Sequence, residues 1–410
     1  MSTTVANQKA SAGKVAAQEV LGLTGNEAAA EALKQVNPDV AAVFPITPQT
    51  ELMHKFAEYV ANGAVDTELI NVESEHSAMS ATVGASAAGA RAVTATSANG
   101  LALMWEIVAI ASSLRLPIVM PVVNRAISGP LNIHCDHSDT MGCRDLGWIQ
   151  LYSEDSQEAY DNMIQAFRIA ENKSVMLPVM VTFDGFIISH TMERVEIISD
   201  DKIVRNFVGE YQPENYLLNA QHPVTYGPLD LPDWLFEHKR QEIQGFLNAP
   251  EVIKQVGREY GEISGRSYDL LEKYRMDDAE VAVVALGSTA GTAKAAVEEL
   301  RAEGVKAGLV KIRCFRPFPG KEICAALAKC KAVSVMDRCI SFGLEGGPVF
   351  NEIRGAAYGA GLKVPMVSHI YGIGGRDINV TQIRGVFEEL KKLASGGKIE
   401  AVESYVGLRE

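Results

Sequence analysis

The sequence predicts an α/β protein in which an open parallel sheet is followed by a smaller α/β unit. Short apolar segments alternate with segments of helical periodicity up to about residue 190, as in a parallel sheet whose strands are joined by helices. The segment from Pro117 to Val123 is almost continuously apolar, as expected of a strand covered on both faces. A second alternation begins at Asp278.

The first unit begins with a helix from Glu27 to Gln35, which Asn26 is expected to cap. In the segment Pro45-Ile46-Thr47-Pro48, Thr47 is a candidate helix cap and Pro48 suits the first helical position. The long segment from Ala126 to Asp145 is irregular, and loops of this length are usually functional. The other strands and helices of this unit are predicted over residues 40–44, 48–62, 67–70, 91–96, 101–114, 117–123, 151–153, 155–169 and 176–183.

Residues between the two alternating regions lack a clean α/β pattern. The part from Tyr211 to Trp234 is rich in proline and aromatic residues, as in an extended connector, and the part from Leu235 to Tyr274 has a helical period. The predicted organisation is a disordered lead-in over residues 1–20, a first domain over 21–200, a connector over 201–275, a second domain over 276–395 and a tail over 396–410.

Five polar residues follow predicted strands of the first unit: Thr47, Glu75, Ser97, Arg125 and Asp184. Because the carboxyl ends of parallel strands meet at one edge of a sheet, we expect these residues to share one rim, where open α/β sheets bind ligands. No glycine-rich phosphate loop of the dinucleotide or P-loop type is present, which disfavours a Rossmann oxidoreductase.

Composition excludes several classes of protein. The 410 residues carry a net charge of −13, which argues against nucleic acid or an acidic membrane surface as a partner. The longest apolar region, Leu101 to Val123, is broken by Glu106 and Arg115, and the polar N-terminus has no secretory core, so a cytoplasmic location is expected. The six cysteines form no C-x-x-C pair, which favours free thiols over a self-contained metal or iron–sulfur site.

Five motifs occur in an order and at a spacing that are specific to one protein family. The motifs are Phe44-Pro45-Ile46-Thr47-Pro48, Ser74-Glu75, Asn124-Arg125-Ala126, Asp136-His137-Ser138-Asp139, and Phe183-Asp184-Gly185-Phe186 with Ser189-His190. Together they resemble the thiamine-diphosphate pyrimidine-binding domain of the 2-oxoacid:ferredoxin oxidoreductase family, in its pyruvate:ferredoxin branch. Gly287-Ser288 and Arg316-Pro317-Phe318-Pro319 are similar to that family's transketolase C-terminal-like domain. The resemblance covers residues 20–395 and implies a separate alpha subunit of the multi-subunit form.

The resemblance implies thiamine diphosphate as cofactor and Glu75 as the acid that shares a proton with N1′ of its aminopyrimidine ring. Glu73 is the rival candidate, since on a strand it would share a face with Glu75. The Ser-Glu context favours Glu75. The alternative for both is an acidic residue that the helix dipole favours at a helix N-terminus.

The resemblance also assigns five further site residues. Thr47 matches a threonine near the substrate carboxylate, and Arg125 matches an arginine that holds the carboxylate of the 2-oxoacid or of the intermediate. Asn99, Asp136 and His137 are predicted to line the cofactor pocket. The alternatives are a plain helix cap for Thr47, a salt bridge for Arg125 and a loop pairing for Asp136 and His137.

Two motifs of thiamine and iron–sulfur enzymes are absent from the chain. It has no Gly-Asp-Gly with a downstream Asn, which binds the cofactor diphosphate through Mg²⁺, and no C-x-x-C-x-x-C cluster motif. The resemblance therefore implies that the cofactor is shared with a beta subunit, and that Mg²⁺ and the [4Fe–4S] clusters belong to partner subunits of beta, gamma and delta type. The chain is expected to be inactive alone.

The function that the resemblance implies is the CoA-dependent conversion of pyruvate to acetyl-CoA and CO₂, or its reverse, with electrons passed to ferredoxin. The alternatives are a branched-chain 2-oxoacid or 2-oxoglutarate enzyme, a transketolase or E1-type dehydrogenase component, and a non-enzymatic scaffold. Arg313, Arg316 and Arg338 are candidate anion contacts in the second unit, with paired arginines as the alternative.

Overall fold

The computed structural model describes residues 15–409, which fold into an α/β structure with three sheets. The strands are Gln18–Leu23 (β1), Val40–Val43 (β2), Glu68–Asn71 (β3), Ala92–Val93 (β4), Val119–Asn124 (β5), Ile149–Tyr152 (β6), Val179–Asp184 (β7), Glu193–Ile198 (β8), Leu271–Tyr274 (β9), Val281–Ala285 (β10), Ala307–Ile312 (β11), Cys314–Arg316 (β12), Ala332–Asp337 (β13), Met366–Tyr371 (β14) and Glu403–Val406 (β15). The helices are Gly25–Val36 (α1), Thr50–Ala61 (α2), Glu75–Ala88 (α3), Ala98–Leu103 (α4), Trp105–Ser113 (α5), Ser138–Gly142 (α6), Ser156–Ala170 (α7), Asp201–Val208 (α8), Leu235–Ser264 (α9), Thr289–Ala302 (α10), Gly320–Leu327 (α11), Pro348–Ala360 (α12) and Val380–Ala394 (α13).

The first sheet has seven strands in the order β12-β6-β7-β5-β4-β2-β3. All neighbours pair in parallel except the edge strand β12, which is antiparallel to β6. Every residue of β5, β6 and β7 is buried, as expected of a sheet covered on both faces. The open parallel sheet predicted from the alternating pattern is confirmed.

The second sheet has six strands in the order β15-β14-β13-β10-β11-β9, with only β9 antiparallel to its neighbour. Strand β15 pairs with β14, so the predicted tail contributes a strand to this sheet. Strand β12 lies within the second unit of the sequence but joins the first sheet. The second unit therefore contributes the edge strand of the first sheet, and the two units are joined by strand pairing as well as by the segment between them.

A two-stranded ribbon formed by β1 and β8 lies outside both main sheets. The predicted lead-in over residues 1–20 falls mostly on residues 1–14, which lie outside the described residues, but β1 begins at Gln18. The helix α1 is capped by Thr24, through a capping box with Glu27, and not by Asn26. The Asn26 side chain instead donates a hydrogen bond to the Pro48 carbonyl at 2.9 Å.

The predicted connector has two structural parts. Residues 209–234 contain no helix or strand, whereas α9 packs against α5 and α7 of the first unit. The helical period read from residues 235–274 is confirmed as far as Ser264. Within residues 15–409, no helix is both long and apolar enough to cross a membrane.

Candidate active site

Five strand ends of the first sheet form one rim. Strands β3, β2, β4, β5 and β7 are consecutive and parallel, so Glu75, Thr47, Ser97, Arg125 and Asp184 emerge at the same edge, as predicted. Arg125 Nη1 donates a hydrogen bond to the Thr47 carbonyl at 2.9 Å, which ties the end of β5 to the loop after β2.

Glu75 is the first residue of α3, and Ser74 caps the helix by accepting a hydrogen bond from the Ser77 backbone N–H. Only 8% of Glu75 is exposed, and within residues 15–409 its carboxyl forms no hydrogen bond or ion pair. The rival Glu73 is exposed, lies outside any strand, and its carboxylate accepts a hydrogen bond from the Ser77 hydroxyl. The expectation that both acids share a strand face is wrong, and Glu75 alone is both buried and unpartnered.

The turn after β4 encloses the Glu75 carboxyl. A Cβ atom added to Gly100 would lie 2.4 Å from Thr96 Oγ1 and 2.8 Å from Glu75 Oε1, so the absence of a side chain at Gly100 allows the turn to approach both residues. The hydroxyl oxygens of Thr96 and Ser97 are buried and have no hydrogen-bond partner in the described part of the chain. The Glu75 carboxyl is thus a buried polar group without a partner, whereas the two hydroxyls belong to residues that are 0% exposed and lie beneath the surface.

Arg125 is 7% exposed. Its Nε donates to the Asn132 carbonyl at 3.0 Å, in addition to the bond from Nη1 to Thr47. Among residues 15–409, no carboxylate oxygen lies within 4.0 Å of its guanidinium nitrogens, so the salt-bridge alternative is not observed. A buried cation whose charge is not neutralised by the chain is suited to an anionic ligand.

The Thr47 side chain does not cap a helix. Helix α2 begins at Thr50, and Gln49 occupies the N-cap position without a side-chain hydrogen bond, so the predicted cap at Thr47 is wrong. Thr47 is exposed on the rim. Asn99 is also exposed, and its side-chain oxygen accepts hydrogen bonds from the backbone and hydroxyl of Ser128 at 3.1 and 2.9 Å, which fixes the loop after β5 against α4.

Asp136 and His137 are buried and contact the second unit. Asp136 Oδ2 accepts a hydrogen bond from the Gly374 backbone N–H at 3.3 Å, and the His137 backbone N–H donates to the Arg338 carbonyl at 2.8 Å. The pairing that the sequence left open as a surface contact is therefore a buried contact between units. Their assignment to the cofactor pocket stays a prediction.

Sequence analysis missed the buried cluster around Asp184. Asp184 Oδ1 lies 2.7 Å from His137 Nε2, and Oδ2 accepts hydrogen bonds from Arg338 Nη1 at 3.0 Å and from Ser288 N and Oγ. Burial alone would raise the pKa of Asp184, but Arg338, His137 and Ser288 together hold it well below its ordinary value. The partners come from distant parts of the chain, so only the position of Asp184 at a strand end pointed to it.

The other two candidate anion contacts of the second unit, Arg313 and Arg316, are also paired. Arg313 is buried and donates to Asn162 Oδ1 and Gln165 Oε1 at 2.8 and 3.0 Å, and Arg316 bonds Glu352. These contacts correspond to the paired-arginine alternative.

Two clusters of the described residues have enough ligand atoms for a metal ion: Cys135, His137 and Asp184, and Glu154, Glu158 and Glu272. Basic side chains already contact the ligand atoms of both clusters. Arg338 lies within hydrogen-bonding distance of Cys135 and Asp184, and Lys311 contacts all three glutamates. Burial raises the pKa of the Cys135 thiol well above its ordinary value, which disfavours the thiolate that a metal requires.

The chain matches two family models. Residues 31–258 match the model described as pyruvate flavodoxin/ferredoxin oxidoreductase, thiamine diphosphate-binding. Residues 279–383 match the model described as pyruvate:ferredoxin oxidoreductase core domain II. The first match contains the whole rim, and the second contains most of the second sheet.

Curated relatives match the chain over nearly its whole length. The chain is 55% identical over 392 residues to a pyruvate synthase subunit PorA from Thermotoga maritima, covering 96% of this chain and 99% of the relative. It is 44% identical over 379 residues to a ketoisovalerate oxidoreductase subunit VorA from Pyrococcus abyssi, covering 92% and 95%. The solved structure of 2-oxoglutarate:ferredoxin oxidoreductase from Magnetococcus marinus has a similar fold, with a TM-score of 0.70 at 22% identity, covering 90% of this chain and 65% of that chain.

Proposed function

The chain belongs to the pyruvate flavodoxin/ferredoxin oxidoreductase family, and we propose that it is the alpha subunit of a thiamine-diphosphate-dependent pyruvate:ferredoxin oxidoreductase. The reaction is the conversion of pyruvate and CoA to acetyl-CoA and CO₂, or its reverse. The observation that carries the proposal is the buried, unpartnered Glu75 carboxyl at the rim of the family's thiamine-diphosphate-binding domain.

The residues around Glu75 fit the aminopyrimidine ring of the cofactor. Glu75, whose carboxyl has no partner in the described part of the chain, would hold or transfer a proton at N1′. When bound, thiamine diphosphate supplies the carbanion chemistry of 2-oxoacid decarboxylation. The close approach of Gly100 keeps water away from the Glu75 carboxyl.

Arg125 would bind the carboxylate of the 2-oxoacid. Its guanidinium is held from behind by the carbonyls of Asn132 and Thr47, so its orientation is fixed before the substrate arrives. Thr47, exposed beside it, can donate a hydroxyl hydrogen bond to the same carboxylate. A planar carboxylate suits the fork of N–H donors that arginine presents.

The chain supplies one half of the active site in this proposal. Its two clusters of potential metal ligands are occupied by contacts with Arg338 and Lys311, and a Mg²⁺–diphosphate site is assigned to a beta-type subunit. The [4Fe–4S] clusters are assigned to partner subunits of beta, gamma and delta type, and coenzyme A is the co-substrate. A group of exposed apolar side chains beside the rim supports a partner there. These residues are Leu103, Trp105, Ile127, Leu131 and Ile133.

The similarity to a ketoisovalerate oxidoreductase subunit favours a branched-chain 2-oxoacid as the alternative substrate. Pocket contacts that differ by one or two methylene groups decide between such substrates. The two candidates share the roles of Glu75 and Arg125, so they differ only in substrate preference.

The test uses the native complex, isolated under anaerobic conditions through a tag on this chain. Reduction of a viologen dye is measured with pyruvate, 2-oxoisovalerate and 2-oxoglutarate in turn, with and without CoA. CoA-dependent reduction that is fastest with pyruvate supports the proposal. A complex with thiamine diphosphate but no iron and no dye reduction would favour an E1-type component, and Glu75→Gln with full activity would exclude the role of Glu75.

A further inference from the structure

Asp139 is a buried carboxylate at the rim and the last residue of the Asp136-His137-Ser138-Asp139 motif, but neither the resemblance nor the reaction gives it a role. It lies in α6 and is 1% exposed. Its Oδ2 accepts hydrogen bonds from the backbone N–H groups of Ala98 and Arg125 at 3.1 and 3.0 Å. Its Oδ1 accepts from Asn124 Nδ2 at 2.9 Å and from the Thr140 N–H at 2.7 Å.

No cation forms an ion pair with Asp139 within residues 15–409, so neutral donors alone stabilise the carboxylate: the four above and the Thr140 hydroxyl, which donates to Oδ1 at 3.4 Å. Burial raises the pKa of Asp139 to about 6, while the hydrogen bonds from Asn124 and from the three backbone N–H groups act in the opposite direction. A buried carboxylate without a cation costs stability. A neutral side chain could fill the same space. The property of Asp139 that needs an explanation is therefore the ability of its two oxygens to accept several hydrogen bonds.

The two Oδ2 hydrogen bonds join two segments at the site, called its arms: the turn after β4 that leads into α4, and the end of β5. One ends on Ala98, whose φ of 41° is rare for a residue with a side chain. Two residues later, Gly100 lies against the Glu75 carboxyl. The other ends on Arg125, whose guanidinium is the candidate substrate contact. A single carboxylate thus fixes the backbone of both arms.

We propose that Asp139 is a positioning residue: its carboxylate holds the turn after β4 and the end of β5 at a fixed separation, and thereby sets the distance between Glu75 and Arg125 during the reaction. The inference rests on the proposed function. It implies that Asp139 acts on substrate binding and on turnover together, because one arm packs against Glu75 at Gly100 and the other carries Arg125.

The experiment compares Asp139→Asn with Asp337→Asn in the intact complex. Asp337 is an equally buried aspartate that accepts hydrogen bonds from two backbone N–H groups, of Val349 and Phe350, at the start of α12 in the second unit. The Asp139→Asn amide cannot accept from all four donors. Since a misplacement of about 1 Å costs roughly 100-fold in rate, kcat/KM is expected to fall about 100-fold, with KM raised and kcat lowered. Asp337→Asn is expected to lower the melting temperature while KM and kcat stay within about twofold of wild type.

The proposal is overturned if Asp139→Asn assembles, with or without a lower melting temperature, and keeps both kinetic constants within about twofold of wild type. If that variant does not assemble, Asp139→Glu provides the measurement, because it keeps the charge and lengthens the side chain by one methylene group. A loss of tenfold or more in its kcat/KM supports the proposal, and no loss overturns it. If the wild-type complex itself shows no CoA-dependent reduction with any 2-oxoacid, the proposed function fails instead.

Discussion

Substitution of Gly100 by alanine tests whether the enclosure of Glu75 matters for turnover. The added methyl carbon would lie 2.4 Å from Thr96 Oγ1 and 2.8 Å from both Cγ and Oε1 of Glu75. Carbon and oxygen atoms normally pack at about 3.4 Å or more. The substitution therefore forces either the turn after β4 or the Glu75 side chain to move.

The size of the expected effect follows from these distances. Glu75 Oε1 must move by about 0.6 Å, and Thr96 Oγ1 by about 1 Å, to reach ordinary contact with the new methyl group. Moving Glu75 relieves only its own contact, so the contact with the buried, β-branched Thr96 must be relieved by a shift of α4 itself. Displacements approaching 1 Å cost up to roughly 100-fold in rate, which predicts a 10- to 100-fold loss in kcat. Overpacking of this kind typically costs about 1–3 kcal/mol in stability.

The assay is CoA-dependent viologen reduction by the purified complex at saturating 2-oxoacid, with assembly checked by gel filtration and stability by thermal unfolding. Gly84→Ala is the matched control, because Gly84 lies on α3, the helix that Glu75 begins, and an added Cβ meets nothing within 4 Å. It should keep wild-type turnover and gain about 0.5–1 kcal/mol in stability. An assembled Gly100→Ala complex with turnover within about twofold of wild type would refute the reasoning.

Three further predictions concern the Asp184 cluster and the glycine that follows Asp184. Arg338→Met leaves the buried Asp184 without its cation and should cost about 3–5 kcal/mol in urea unfolding, whereas Arg384→Ala, which removes exposed pairs, should leave the midpoint unchanged. Burial raises the pKa of Asp184, but its partners outweigh burial and lower that pKa below the unfolded value of about 4, so its stabilisation is present above pH 4 and is lost as pH falls further. Asp184→Asn should therefore weaken the acid dependence of the melting temperature below pH 4. Gly185→Ala places Cβ 2.3 Å from the Asn124 carbonyl oxygen and should cost about 1–3 kcal/mol in thermal unfolding.

The rim could be predicted from the sequence because it follows from a general property of parallel sheets. Once the alternation of strands and helices was recognised, the residues after β2, β3, β4, β5 and β7 had to meet at one edge. Local chemistry was less reliable. Asn26 and Thr47 are both of residue types that commonly cap helices, but Thr24 and Gln49 occupy the cap positions. A polar side chain near the start of a helix can form its hydrogen bond elsewhere, as Asn26 does.

Contacts between distant segments could not be predicted. Strand β12 joins the first sheet although it lies more than 100 residues beyond β7, and β15 pairs with β14 across α13. The cluster of Asp184, His137 and Arg338 brings together three segments whose local patterns give no sign of one another. Pairings of this kind depend on tertiary packing and leave no periodicity in the sequence.

The second unit carries no candidate catalytic residue, yet it constrains the rim. Arg338 and Ser288 hold Asp184 at the end of β7, and the next residue, Gly185, donates its backbone N–H to the Asn124 carbonyl at 3.1 Å. Asn124 directly precedes Arg125. A path of hydrogen bonds and intervening peptide bonds therefore runs from the second unit to the candidate substrate contact. If this path positions Arg125, Arg338→Met should raise the KM for the 2-oxoacid in the assembled complex while kcat changes less. An unchanged KM would mean that the cluster contributes only to stability.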